Sequence, residues 1–291
     1  MVTNQPGIEL CDVRLDHPQG GPPLVNQANL RVTGGERVLI VGAAGVGTSR
    51  LAATVLGEVT PGAGRVEVLG RDVGKLRRSS LRLLRRRVGI VPQDLCLLDD
   101  RTAQRNVVLP LEIDGIPRSV STVRAARLLA LLGLEAKAGL PINCLSMADR
   151  QRVAVARALV REPDLLIADH PTSAQDAEGA ELVCGAIADA AARGTACLVL
   201  GKDPALRAIA ERERWRQLAL IHGVLRPLSE IALEGAAIDD LLAEVASAPV
   251  RSTAPVAPVA AASAARPVPA DPARPTNVVP FPIASRAVGM R

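Results

Sequence analysis

Aromatic residues are almost missing from this 291-residue chain: it has no tyrosine, one tryptophan (Trp215) and one phenylalanine (Phe281). Its core must therefore be packed with Leu, Val, Ile and Ala. No run of about 18 uncharged apolar residues occurs, so no transmembrane helix is expected. The first residues lack a basic stretch followed by an apolar one, and no secretion signal is read. Cys11, Cys96, Cys144, Cys184 and Cys197 are scattered without a C-x-x-C pair. They read as reduced thiols of a cytosolic protein, mostly in the core.

The formal net charge is +5, but it is unevenly placed. Residues 248–291 are rich in Pro, Ala and Val and hold five arginines against one aspartate. Such a segment buries too little apolar area to offset its ordering entropy and is expected to be disordered. The remaining 1–247 is then nearly neutral, which argues against a nucleic-acid partner. Within the tail, 278–283 (VVPFPI) reads either as a linear docking motif or as an unstructured end.

The most informative segment present is GAAGVGTSR over residues 42–50. A phosphate-binding loop reads G-x-x-x-x-G-K-S/T, and Gly42, Gly47 and Ser49 fit it while Thr48 stands in the lysine position. The apolar run 37–41 before it reads as a buried parallel strand, and Leu51, Val55 and Leu56 recur after it at helical spacing. Backbone N–H groups of such a loop, Gly45 included, can curl around phosphates at a helix N-terminus. By itself the segment fits a phosphate cradle or a chance glycine turn equally well.

Five further segments decide between them. LSMADRQRVAVARAL (145–159) resembles the LSGGQ signature helix of ABC ATPases, and DLLIADHPT (164–172) resembles their Walker B strand. SAQD (173–176), VGIVPQ (88–93) and LVLGKD (198–203) resemble the D-loop, the Q-loop and the H-switch. With the loop at 42–50 they stand in family order across about residues 5–225. A narrower likeness lies in LLDDRTAQRNVVLPLEIDG (97–115), which resembles FtsE, the cell-division ABC ATPase that pairs with the membrane protein FtsX.

The resemblance implies an α/β P-loop NTPase fold with a RecA-like parallel core sheet. An antiparallel β subdomain and a helical signature subdomain over about 95–160 would complete the domain at 1–247, followed by the tail. It implies ATP and Mg²⁺ as cofactors, with Ser49, Gln93 and Asp169 as metal ligands. It also implies a homodimer or heterodimer docked on an FtsX-like integral membrane protein, at the cytoplasmic face of the plasma membrane. Two positions are read on the same basis: Arg50 for an α-phosphate, and His17 near where an aromatic ring stacks on adenine.

Several positions depart from the family pattern. Thr48 replaces the lysine that bridges the β- and γ-phosphates; a charge-assisted contact contributes about 1.5–3 kcal/mol. His170 replaces the glutamate that polarises water, a role that contributes roughly 10²–10⁴ in rate. Met147 and Ala148 replace the signature glycines beside Ser146, and Lys202 replaces the switch histidine. Gln93, Asp169 and Asp176 are kept. The expectation is an FtsE-like subunit with weak or no hydrolysis, acting as scaffold or regulator. The alternatives are an active ATPase driving the permease, and a soluble adaptor that recruits division proteins. Finally, 75–87 carries seven basic residues around Leu76, Leu81, Leu83 and Leu84. It reads as a solvated basic helix face or as a contact for anionic lipid headgroups.

Overall fold

Short β-branched runs make the strands, and the side chains each strand buries decide which layers it joins. The computed structural model describes residues 6–43, 45–233 and 240. Strands β1 (Pro6–Leu15), β2 (Val25–Thr33), β4 (Ala63–Val68) and β5 (Arg71–Asp72) form an antiparallel sheet in the order β2-β1-β4-β5. Strands β3 (Arg37–Gly42), β6 (Val88–Val91), β7 (Leu165–Asp169), β8 (Ala196–Leu200), β9 (Arg216–Ile221) and β10 (Val224–Pro227) form the second, ordered β10-β9-β3-β8-β7-β6. Five of these run parallel, which is the parallel core expected from the sequence; β10 folds back antiparallel on β9 at its edge. The turn His222-Gly223 makes that hairpin, with both residues at positive φ.

The period of two along each parallel strand divides the core. Val38, Ile40, Leu165, Ile167, Leu198 and Leu200 face the antiparallel sheet and α1 (Thr48–Val55). Leu39, Val41, Leu166, Ala168, Cys197 and Val199 face α5 (Met147–Leu159), α6 (Ala177–Ala192) and α7 (Pro204–Arg212). Both faces are covered, so these strands read as continuous apolar runs. Each Leu or Ile so buried contributes roughly 1.5–3 kcal/mol, which is how a core without aromatic rings is stabilised.

Between β6 and β7 lie α3 (Ala103–Ile113), α4 (Arg118–Leu131) and α5. Helix does not fill the whole of 95–160 as the sequence reading has it. Residues 92–102 are a loop, since Leu95 and Cys96 both adopt positive φ and cannot continue a helix. Two side chains hold this loop. The fully buried Asn106 accepts from Leu98 N–H and donates to the carbonyls of Leu98 and Thr102. Arg157 of α5 donates to the carbonyls of Leu95 and Cys96.

The basic segment 75–87 is helical only in part: a 3₁₀ turn at Val73–Lys75 precedes α2 (Arg78–Arg85). At the other end of the core, Trp215 is 5% exposed, donates to Glu213, and lies under Arg37 with the guanidinium 5.4 Å from its ring. Helix α8 (Leu228–Leu233) follows β10. The tail at 248–291, the stretch 278–283 and most of the helix expected over 231–246 lie outside the described residues. No described helix is long and apolar enough to cross a membrane.

Strand β6 sits directly on α5 through Gly89. A Cβ there would lie 2.4 Å from the Ala158 carbonyl oxygen and 2.9 Å from Pro163. Gly89→Ala is therefore expected to lower the unfolding free energy by about 1–3 kcal/mol through overpacking. Urea denaturation of the purified chain checks this; an unchanged midpoint would show that α5 is not tightly seated on β6.

Candidate functional site

Four neighbouring parallel strands, β3, β8, β7 and β6, deliver their carboxyl ends to one place, where α/β sheets bind ligands. A cleft of about 320 Å³ opens there, lined by Gly42, Ala43, Gly45, Thr48, Ser49, Gln93, His170, Ser173 and Lys202. Segments far apart in sequence thus meet because their strands are adjacent. Ser173 and Ala43 are additions that the motif reading did not single out.

The loop after β3 is held in a tight curl. Gly47 caps α1 at φ 106, a conformation that suits glycine, and a Cβ there would meet Leu24 at 2.9 Å. Thr48 turns back on its own loop: its methyl carbon lies 2.7 Å from the place a Cβ on Gly42 would take. It is 9% exposed. A lysine ammonium in this position could extend over a bound anion, whereas the threonine methyl packs against the strand end. Ser49 remains exposed in the cleft.

Asp169 ends β7 just behind the cleft lining. Its Oδ1 is buried without a hydrogen-bond partner, 3.8 Å from His170 Nε2. A buried carboxylate oxygen without a partner is costly unless something else occupies its surroundings. Ser49 and Gln93 line the cleft and Asp169 precedes its lining residue His170; all three are hard oxygen donors of the kind that suits Mg²⁺. The residues present therefore fit the metal of the resemblance, and a bound Mg²⁺ would supply charge neutralisation for phosphate oxygens. Among the described residues no group of three His, Cys, Asp or Glu side chains could hold a metal alone.

His170 has a left-handed backbone, φ 52. Its N–H donates to Leu200, and its carbonyl accepts from Gln151 Nε2 at 2.7 Å, from Ser173 Oγ at 3.1 Å and from Ser173 N–H at 3.3 Å. Gln151 of α5 is 3% exposed; it also donates to Ser173 Oγ and accepts from Ala174 N–H and Gln175. This link between signature helix and Walker B strand escaped the motif reading. The sequence signal for it was a polar residue on the buried face of α5.

Lys202 follows β8. The Gly201 N–H donates to the Ile40 carbonyl, which ties its loop to the strand leading into 42–49. Lys202 is exposed and, among the described residues, has no hydrogen-bond or ion-pair partner. It is the one Lys or Arg among the lining residues.

Other residues singled out in the sequence lie elsewhere. Arg50 does not line the cleft; its Nε is buried without a partner. His17 accepts from Gln19 N–H through Nδ1 and is also outside it. Asp176 caps α6 by accepting from Gly179 N–H at 2.8 Å. Ser146 stands apart at the N-terminus of α5, as it must if it serves a second subunit. There it caps Asp149 N–H and donates to Asp149 Oδ2, and Met147 projects 60% exposed beside it.

Asp149 is the most heavily engaged carboxylate of that region. It is 3% exposed and pairs with Lys137 and Arg152, each at 2.7 Å. Burial pushes its pKa up, but the hydrogen bonds from Lys137 and Ser146 and the nearby positive charges outweigh this and hold it below the usual carboxylate value.

Comparison with known proteins agrees with this geometry. A family model described as ABC transporter matches residues 25–173, about half of the chain. The chain belongs to the ABC transporter ATP-binding family. It is 42% identical over 181 residues to the methionine import ATP-binding protein MetN of Caulobacter vibrioides, covering 62% of this chain and 54% of that one. To the MetN of Brucella abortus (strain 2308) it is 36% identical over 226 residues, 77% of this chain and 60% of that one. The chain thus spans little more than half the length of these relatives. Among solved structures it is similar to the ATP-binding cassette MJ0796, in a dimeric post-hydrolysis state bound to ADP and Pi. There the TM-score is 0.68 and the identity 28%, over 75% of this chain and 96% of that one. The two MetN relatives are methionine import proteins, not cell-division ATPases, and the narrower FtsE likeness gains no support from them.

A carboxylate with a depressed pKa stabilises the fold above its unfolded pKa and loses that contribution as pH falls through the folded value. Asp149→Asn is expected to cost about 1.5–3 kcal/mol at neutral pH. The gap from the parent should close as pH falls below the ordinary carboxylate range, near 4. Urea midpoints measured across pH test this; a gap independent of pH would mean that charge is not what Asp149 contributes.

Proposed function

We propose that this chain is the ATP-binding subunit of an ABC transporter, taking Mg–ATP in the cleft at the strand ends and acting as a dimer on an integral membrane permease. The observation that carries the reading is the cleft at the strand ends, where the curled glycine loop and Ser49 meet Gln93 and His170, the neighbour of Asp169. Family membership supports the dimer and the membrane partner. Methionine or a similar small solute is the cargo that the named relatives suggest.

Turnover is expected to be slow. Thr48 removes one cation from the phosphates, and His170 has an imidazole where a carboxylate normally polarises water. Lys202 offsets the first loss: its unpaired ammonium supplies positive charge to the terminal phosphates from the opposite wall of the cleft. A second reading, a scaffold that binds nucleotide without hydrolysing it, is favoured by the inward-packed Thr48 methyl. The FtsE and FtsX pairing rests on 97–115 alone, where Asn106 already has a structural task in holding the loop.

Calorimetry with Mg–ATP is expected to show binding that weakens roughly ten- to a hundred-fold in Lys202→Ala. Hydrolysis assayed with the permease present should be abolished by Asp169→Asn. Absence of binding at millimolar nucleotide would overturn the proposal; binding without turnover would select the scaffold reading. Equal affinities of parent and Lys202→Ala would remove Lys202 from the site.

A further inference from the structure

We infer that the outer face of α2 binds an anionic phospholipid surface. Arg78, Arg82 and Arg86 stand four residues apart and form one stripe along the helix, all exposed. Arg86 reaches Asp114 only at 3.7 Å, with half its side chain in solvent. Arg78 and Arg82 have no hydrogen-bond or ion-pair partner among the described residues. Leu83 lies beside the stripe, 59% exposed. Arg77 extends the positive charge beyond the helix start, as does Lys75, which pairs with Asp72 at 3.4 Å, and no acidic residue occurs between Asp72 and Asp94.

Folding alone disfavours this arrangement. Like charges four residues apart on a helix destabilise it, and arginines at its first turn oppose the helix dipole without any acid there. The inner face is fixed by other means. Leu84 is buried, Leu81 packs on Gly57, and Arg85 donates to the Leu56 carbonyl. Arg78 and Arg82 therefore add nothing to the seating of α2, and their charge points to an anionic partner.

Lipid fits best. Forked guanidinium donors match phosphate oxygens, and an exposed leucine among arginines is the composition of an interfacial contact. A convex row on one helix can lie against a flat surface. The face has no aromatic ring on which a nucleic-acid base could stack. The inference does not depend on nucleotide binding in the cleft.

Co-sedimentation of the full chain with vesicles provides the test. One set holds equal parts phosphatidylcholine and phosphatidylglycerol, the other phosphatidylcholine alone. Binding is expected only to the anionic vesicles and should weaken with added salt. Loss of affinity should be roughly fivefold for each arginine removed, about 25-fold in Arg78→Gln/Arg82→Gln. The melting temperature of that variant should hold or rise, because a like-charge pair is relieved. If it falls, Arg82→Gln alone, with its roughly fivefold effect, replaces it. Anionic-vesicle binding that these changes leave intact overturns the inference, as does equal binding to both vesicle types. A chain that ignores both vesicles but binds polyglutamate also overturns it, in favour of an acidic protein partner.

Discussion

One buried amide ties the nucleotide-binding unit together. Gln151 reaches from α5 to the His170 carbonyl and to Ser173, Ala174 and Gln175, so the signature helix and the end of β7 cannot move independently. Each hydrogen bond contributes only about 1 kcal/mol net, but leaving such a buried group unpaired costs more. Because the amide uses both its nitrogen and its oxygen, the register of α5 on the sheet is set to within one side chain.

The residues that hold the fold and those that depart from the family pattern lie in different places in this chain. The groups that hold the fold are intact: Asn106 in its loop, Asp149 between Lys137 and Arg152, Asp176 capping α6. The positions that depart from the family pattern, Thr48, His170 and Lys202, line the cleft, and Met147 stands at the α5 terminus. Substitution there leaves the core untouched, since none of the four is an apolar core side chain. The family fold therefore persists while residues lining its cleft differ from the family pattern.

Much of this was legible in the sequence. The apolar run at 37–41 gave a buried strand, the Walker B and Q-loop resemblances gave those at 165–169 and 88–91, and the glycine loop between strand and helix pointed to the cleft. Three features were not. The loop at 92–102 depends on positive φ at Leu95 and Cys96, held by Asn106 and by Arg157 from a distant helix; no local pattern announces it. The antiparallel turn into β10 is set by His222 and Gly223, not by strand composition. Arg50 reads as a phosphate contact by proximity in sequence, yet helix geometry takes its side chain away from the cleft.

Trp215 has a practical consequence. With no tyrosine in the chain and Phe281 as the other aromatic, near-ultraviolet emission arises from a single indole. That indole lies under Arg37, the first residue of the strand that ends in the phosphate loop, and shares Glu213 with it. A nearby guanidinium and carboxylate set the local field on the ring. The protein thus has a built-in optical probe at the base of β3, readable without a dye or an added label.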